Sequence, residues 1–350
     1  MHINTPPSIV SEGLLEGLQG LLGLDNVRVG EKIARYTTWR VGGPAALLVV
    51  ARDVDGLARS VALLRAAGVP WLVLGRGSNV LCNDAGIDAA VVVNRADGLW
   101  IEDVTVRAES GVSLAVLARR TVAAGLTGLE WCHDIPGSVG GAVVNNAGAH
   151  GGEMAGVLRR VRVLDAAGDV RELAAHELGF GYRRSILREE AVAPSLCPRG
   201  HADTGTAPGE EKRPPSRGHA RLVVLDAVFE AQRVEAAEAR RKMAAQRERR
   251  KATQPGGASA GSVFKNPRGD SAGRLVESLG LKGARVGDAA ISTLHANFIV
   301  GGPHATASDV LDLIALARRR VRDAYDVLLE PEVQYVYHDG SIGAPPLEEE

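Results

Sequence analysis

Between Pro255 and Pro267 the chain reads PGGASAGSVFKNP, with three glycines and small residues around Ser262, then Lys265 and Asn266. Such a backbone is compact enough to carry one hydroxyl close to a ligand. The ammonium and amide behind it are suited to a phosphate. Ser262 itself could be a nucleophile, a proton donor or a turn residue. A nucleophile elbow needs the GxSxG spacing on a strand-to-helix turn; here Gly261 directly precedes the serine, and Val263 and Phe264 follow it.

Four further stretches carry side chains or backbone fit for chemistry. GRGSN, running from Gly75 through Arg76, Gly77 and Ser78 to Asn79, follows an apolar run and leads into Val80 and Leu81. Successive backbone N–H groups there could cradle an anion, or the turn could be an ordinary tight connection. IPGSVGGAVVNNAGAHGG places Gly137, Gly140, Gly141, Gly148, Gly151 and Gly152 within sixteen positions, with Ile135, Pro136, Ser138, Asn145 and Asn146 among them. That density exceeds what a turn needs, and two such segments from two blocks favour one extended, pyrophosphate-bearing cofactor held between them. In FGYRRSIL, Tyr182 stands beside Arg183 and Arg184. A solvated arginine pair accounts for this on its own, while an arginine fork also suits a carboxylate or phosphate. Glu332, in PEV, is by itself a solvated carboxylate at a strand entry.

These segments need elements to position them. Hydrophobic runs and caps predict alternating strands and helices: the ALLVV strand, the DVDGLARSVALLRAAG helix and PWLVLG, then AAVVVN, closing a βαβ-type block near Asn94. A second block carries the TVRAES strand, a helix capped by Ser113 and ending at Gly125, and a hairpin RRVRVLDAAGDVREL with Ala-Gly-Asp at its tip. The glycine-rich segment reads as too irregular for a regular element. A third block opens with the charged helix VEAAEARRKMAAQRERRK, holds AGRLVESLG and TASDVLDLIALARRRVRDAYD as helices, and ends in PEVQYVY. This divides the chain into an N-terminal helix or tail (1–26), a first lobe (27–94), a second lobe (95–232), a third domain (233–338) and a disordered tail (339–350). Within the second lobe, residues 189–220 lack large apolar groups and read as a disordered surface insertion.

Composition narrows the classes. The 350 residues are 45% hydrophobic and carry a net charge of −1, enough for two or three packed domains and without a general pull toward nucleic acid or anionic lipid. No apolar run is long enough to span a bilayer, and the N-terminus lacks a secretion pattern. Cys82, Cys132 and Cys197 have no metal-site spacing, so no metal is expected and a reducing, cytoplasmic setting is. The Arg-rich helix has no interleaved aromatics to stack on bases, which makes it a solvated face. No pattern marks a dimer face, and a monomer is expected.

In order along the chain, YTTWRVGGPA, VLGRGSNVL, GLEW with DIPGSVGGAVVNNAGAHGGE, FGYR, SAGSVFKNP, AGRLVESLGLKG and LEPEV resemble the UDP-N-acetylenolpyruvoylglucosamine reductase (UDP-N-acetylmuramate dehydrogenase) family. The likeness runs from about Val27 to Tyr337, outside the insertion. The close approach of QP to SAGSVFKNP matches the shorter subclass that lacks a tyrosine-bearing substrate loop.

The resemblance implies an α+β fold: a two-lobed FAD-binding module of the vanillyl-alcohol-oxidase (PCMH) type and a C-terminal α/β domain for a UDP-sugar. It implies FAD and NADPH as cofactors. Residues 75–81 and Ile135, Pro136, Gly137, Ser138, Gly141 and Asn146 would hold the flavin, and Tyr182, Lys265 and Asn266 the substrate. Ser262 would supply a proton, with Arg183 and Glu332 stabilising an enolate-like intermediate. The sequence departs from the family at His133 and Asp134, where small residues are usual, and at Gln334, where arginine is common. Two other readings are a related FAD oxidase of an alcohol or hydroxy acid, which would leave SAGSVFKNP without a purpose, and a non-catalytic nucleotide-binding scaffold, which would purify colourless.

Overall fold

The computed structural model describes residues 9–191 and 222–347. The central strand of the first lobe, Ala45–Ala51, is AALLVVA and is buried along its whole length. It has to be, because both faces of its sheet are covered, and that calls for a continuous apolar run rather than an alternating one. The sheet order is Val27–Val29, Ala45–Ala51, Ile87–Asn94, Trp71–Leu74, with the last three mutually parallel. Asp53 starts the crossover helix Val54–Ala66 by accepting from the Gly56 N–H at 2.7 Å, and Gly68 stops it at φ +65°. The N-terminal helix Glu12–Leu22 docks on this lobe through buried Leu14 and Leu18.

The second lobe is a five-stranded antiparallel sheet, Val170–Ala174, Leu158–Leu164, Val223–Glu230, Thr105–Glu109 and Leu99–Glu102. Its hairpin pairs Leu164 with Val170, leaving the loop where the sequence puts it. The lobes are fused: Leu164, Val223 and Leu225 share a core with the first lobe's helix, and Arg65 Nη1 donates to the Asp165 carbonyl at 2.5 Å.

The structure departs from the sequence reading in several places. The glycine-rich segment contains a helix, Val139–Val144, with Ser138 at its N-cap; Gly140 is needed there because a Cβ would meet Ser110 Cβ at 2.9 Å. Ser113 does stand at the start of helix Leu114–Ala123 but makes no side-chain cap. Helix Ile186–Ala191 continues past Glu189, the expected start of the insertion; the remainder of that insertion, with Cys197, lies outside the described residues. The tail is not without structure from Asp339: strand Ile342–Gly343 pairs back on Gln334–Val336, and Tyr337 Oη donates to the Ala344 carbonyl at 2.7 Å. Asp339-Gly340, with Gly340 at φ +79°, is hairpin chemistry that composition alone concealed. Helix Ala236–Thr253 packs on the second lobe, with Met243 against that lobe's core, although the sequence division puts it in the third domain.

The third domain sets helices Ala272–Ser278 and Ala307–Tyr325 on a small sheet of Arg285–Val286, Ala289–Ile291 and Ile299–Gly301. It is welded to the first lobe. Strand Gln334–Val336 runs parallel to Val80–Cys82, and Trp39, Val41 and Leu81 enter its core. Trp39 Nε1 donates to the Ile299 carbonyl at 2.9 Å. Asp84 accepts from the N–H groups of Ala307 and Ser308 at 2.8 and 3.0 Å, satisfying the first turn of a helix in the other domain. Asp84→Ala is therefore expected to lower stability by about 1–2 kcal/mol, the worth of a capping carboxylate at a helix start, in reversible denaturant titration. Thr306 Oγ1 accepts from the Asp309 N–H, and Asp309 Oδ2 from the Thr306 N–H, both at 3.0 Å, so a change within error would show that this reciprocal cap holds the helix start unaided.

Candidate active site

The two glycine segments face one another across a cleft of 340 Å³. GRGSN is held from behind by the YTTW segment: Thr38 N–H donates to the Gly77 carbonyl at 3.0 Å. Gly77 has φ +62°, and a Cβ there would lie 2.2 Å from the Tyr36 carbonyl oxygen. At Gly75 a Cβ would meet Ser138 Oγ at 2.3 Å. A side chain is thus excluded at Gly77, where the loop backs onto Tyr36, and at Gly75, where it meets Ser138, leaving a glycine-lined cradle of the kind a dinucleotide lies along. Gly75, Arg76, Gly77, Ser78, Asn79 and Val80 line the cleft on one side, and Ile135, Pro136, Gly137, Ser138 and Gly141 on the other.

Two expected cofactor residues are not at its wall. Leu81 is buried in the third domain's core, because the strand it belongs to pairs across domains. Asn146 is buried and its amide is used inside the protein: Nδ2 donates to the Gly181 carbonyl at 2.9 Å and Oδ1 accepts from the Ala155 N–H at 3.0 Å. Its neighbour Asn145 lines the cleft instead.

Ser262, Arg183 and Glu332 all line this cleft. Arg183 Nε lies 2.5 Å from Glu332 Oε1, and Arg183 Nη2 donates to the Gly148 carbonyl at 3.3 Å. Glu332 is mostly buried, and that burial raises its pKa; the opposing pull of Arg183, Arg188 and Lys265 is smaller. The Glu332 backbone is fixed by donation to the Val263 carbonyl at 2.7 Å, so the serine segment and the carboxylate segment are adjacent rungs.

A second cavity, of 360 Å³, opens on the other side of Ser262 and is lined by Asn266, Ser271, Gly273, Arg274, Glu277 and residues 294–297. Ser262 is the one described residue that lines both. His295 faces this second cavity; burial, with Lys282 adding to it, lowers its pKa, and Nδ1 accepts from the Asn297 N–H at 3.2 Å. The neutral ring therefore offers an Nε2–H donor. Asn266 reaches the cavity while its Oδ1 accepts from the Ala272 N–H at 3.1 Å. Lys265 lines neither cavity and is paired with Glu330, and Tyr182 is 57% exposed with the Arg183 guanidinium 5.4 Å from its ring centre.

Sequence reasoning missed His295, Arg274, Arg250 and Gln254. Gln254 sits in the QP pair already noted, and Arg250 is one of several arginines on a helix read as solvated; only its place on the turn facing the cleft distinguishes it. Both described cysteines are buried, and burial pushes the Cys82 thiol up to about 12, so neither offers a thiolate. Among the described residues no metal-binding group of His, Cys, Asp and Glu occurs, and no helix is long and apolar enough to cross a membrane.

The comparisons agree with this geometry. Residues 45–174 match the model of a FAD binding domain, which spans most of the first lobe and much of the second. The chain is thus a flavin-dependent oxidoreductase, with a two-lobed FAD-binding module and a C-terminal domain completing the site. Residues 253–336 match the model described as the C-terminal domain of UDP-N-acetylenolpyruvoylglucosamine reductase. Reductases of that name are 35% identical in Halalkalibacterium halodurans, over 93% of this chain and 99% of the relative, and 38% identical in Chloroflexus aurantiacus, over 87% and 96%. The crystal structure of the Thermus caldophilus reductase superposes with a TM-score of 0.68 at 36% identity, covering 88% of this chain and 99% of that one. The chain belongs to the UDP-N-acetylenolpyruvoylglucosamine reductase family, enzymes of peptidoglycan precursor synthesis.

The raised Glu332 pKa has a stability consequence. The folded chain keeps this proton at pH values where the unfolded chain has released it, so the charged form lowers stability above the folded pKa. The penalty is relieved as pH falls through that value toward the ordinary carboxylate range. Glu332→Gln, which cannot ionise, should compare more favourably with the parent in Tm at about pH 8 than at about pH 5. A difference that instead grows in the variant's favour on acidification would contradict the assignment.

Proposed function

We propose that the chain reduces the enolpyruvyl ether of UDP-N-acetylglucosamine to UDP-N-acetylmuramate, with NADPH as the electron source and Ser262 as the proton donor. The observation that carries this reading is the place of Ser262 at the boundary of two cavities, one walled by the glycine cradle and the other by polar residues of the third domain. An alkene spanning that boundary would have one carbon toward the cradle and the other toward the hydroxyl. Residues 75–80 and 135–138, with Gly141, would hold FAD, which when bound would supply hydride chemistry, with NADPH as the source, at the terminal alkene carbon.

The chain's own residues then manage the charge. Hydride arriving at one carbon makes the carbon bearing the ether and carboxylate strongly basic. Arg183, on the cleft wall, would meet that carboxylate. Glu332, whose burial favours the protonated form, can donate a hydrogen bond to the same group or keep Arg183 in place. Ser262 then gives its proton to the basic carbon; a serine hydroxyl is a weak acid, so the step requires a dry pocket and a well-aligned substrate. Asn266, Arg274 and His295 suit the nucleotide end of the substrate in the second cavity. Lys265 can join them only by exchanging Glu330 for the diphosphate.

An FAD oxidase reading is weaker because it gives the second cavity no task. Ser262→Ala is expected to leave flavin bleaching by NADPH near the parent rate in anaerobic stopped-flow, and to slow recovery of the flavin spectrum on adding the enolpyruvyl nucleotide by about 10²–10⁴-fold, the worth of a positioned acid. If bleaching slowed as much as recovery, the serine would belong to cofactor binding and the proton assignment would fall.

A further inference from the structure

His133 and Asp134, two of the three positions that depart from the family pattern, form a cluster with His150. Asp134 carries a carboxylate whose side chain is only 5% exposed. Oδ1 lies 3.1 Å from His133 Nδ1, and Oδ2 lies 3.3 Å from His150 Nε2. Arg250, the other charged group facing it, donates to the Asp134 carbonyl from the helix packed alongside. Oδ2 is buried without an aligned hydrogen bond, so its compensation has to come from the imidazole beside it.

His150 is no ordinary surface residue. It sits at the tip of the hairpin formed by Gly148–Ala149 and Gly152–Glu153, at φ +52°, followed by Gly151 at φ +83°. Two consecutive positive φ values define a tight turn that favours Asn or Gly, and a histidine is held there at a cost unless its side chain is engaged. The hairpin's flank is the functional part: the Gly148 carbonyl accepts from Arg183 Nη2. Arg183 is itself at φ +56°, so it depends on its surroundings for its position.

We propose that His150 is a positioning residue: clasped by Asp134, it fixes the hairpin whose Gly148 carbonyl carries Arg183, and so sets where the guanidinium meets the substrate carboxylate. The proposal rests on the role given to Arg183 above. It assigns the unusual Asp134 a purpose as the anchor that ties the turn preceding one glycine segment to the hairpin that ends it.

The test uses the full-length flavoprotein with three substitutions. His150→Asn keeps a residue that accepts positive φ but cannot reach Asp134; His150→Gln restores a donor of similar reach; Asp134→Asn removes the charge from the other side. For His150→Asn, hydrogen exchange of the 148–153 amides should accelerate, with flavin content unchanged. The Kd of the oxidised protein for the enolpyruvyl nucleotide should rise about tenfold. Flavin recovery by that nucleotide should slow about 10–100-fold, with NADPH bleaching moving far less. His150→Gln should recover most of the loss, and Asp134→Asn should share its direction. Parent-like exchange and Kd in His150→Asn would overturn the clasp, as would parallel loss of both half-reactions together with flavin. If the parent protein itself is not reoxidised by the nucleotide, the functional reading fails, while the exchange data still judge whether His150 holds the hairpin.

Discussion

The parallel pairing of Val80–Cys82 with Gln334–Val336 is the constraint on which the site depends. It brings together segments about 250 positions apart, and the contacts continue outward from it like rungs. Gln334 N–H donates to the Asn79 carbonyl at 3.1 Å, and Asn79 Nδ2 to the Glu332 carbonyl at 3.3 Å. Glu332 N–H donates to Val263, and Val263 N–H to the Asn297 carbonyl at 2.9 Å. One hydrogen-bonded run thus crosses from the cofactor cradle through the carboxylate and the serine segment to the wall of the second cavity. Closing so long a loop is entropically costly, but the cost grows only slowly with length. Trp39 and Asp84, both in the first lobe, add side-chain bonds to the third domain that hold the register.

That geometry forces a carboxylate and a guanidinium into a confined place. Glu332 is stabilised there by Arg183 and, at longer range, by Arg188 and Lys265, yet burial still dominates its proton affinity. A buried ion pair of this kind is weak support for the fold, because desolvation offsets much of the attraction. In the function proposed above it would have a use, because an arginine and a carboxyl group whose burial favours its protonated form would both face a developing negative charge.

Much of this was legible in the sequence because the residues concerned obey local rules. Fully apolar ALLVV had to be an interior strand, Asp53 and Gly68 bracketed a helix, and glycine-dense segments marked close backbone approach. The convergence of Ser262, Arg183 and Glu332 came only through the family resemblance, since each alone reads as an ordinary turn or surface residue. What stayed hidden depends on tertiary placement. Nothing in local spacing says that Asn146 spends its amide on Gly181 while Asn145 faces the cleft, or that Arg250 alone among its helix's arginines lines the cleft. His295 is a single histidine in an unremarkable strand approach until the fold sets it beside Ser262's second cavity. The Asp339-Gly340 turn shows the opposite failure, a local signal that was present and was outweighed by a charged, proline-containing tail.

Three of the six described non-glycine residues with positive φ lie in the segments around Arg183. Among the described non-glycine residues with positive φ, Asn146, His150 and Arg183 belong to two segments tied to each other, by Asn146 donating to Gly181 and Arg183 donating to Gly148. Of the other three, Asp103 and Asp326 end a hairpin and a helix, where left-handed geometry is routine for aspartate, and Arg40 sits in a turn closed by its N–H donating to the Thr37 carbonyl at 3.2 Å. Positive-φ residues in two cross-bonded segments cannot relax in one without displacing the other. The arrangement therefore behaves as a single stiff wall, and the guanidinium it presents is fixed by that wall rather than by the reach of a flexible side chain.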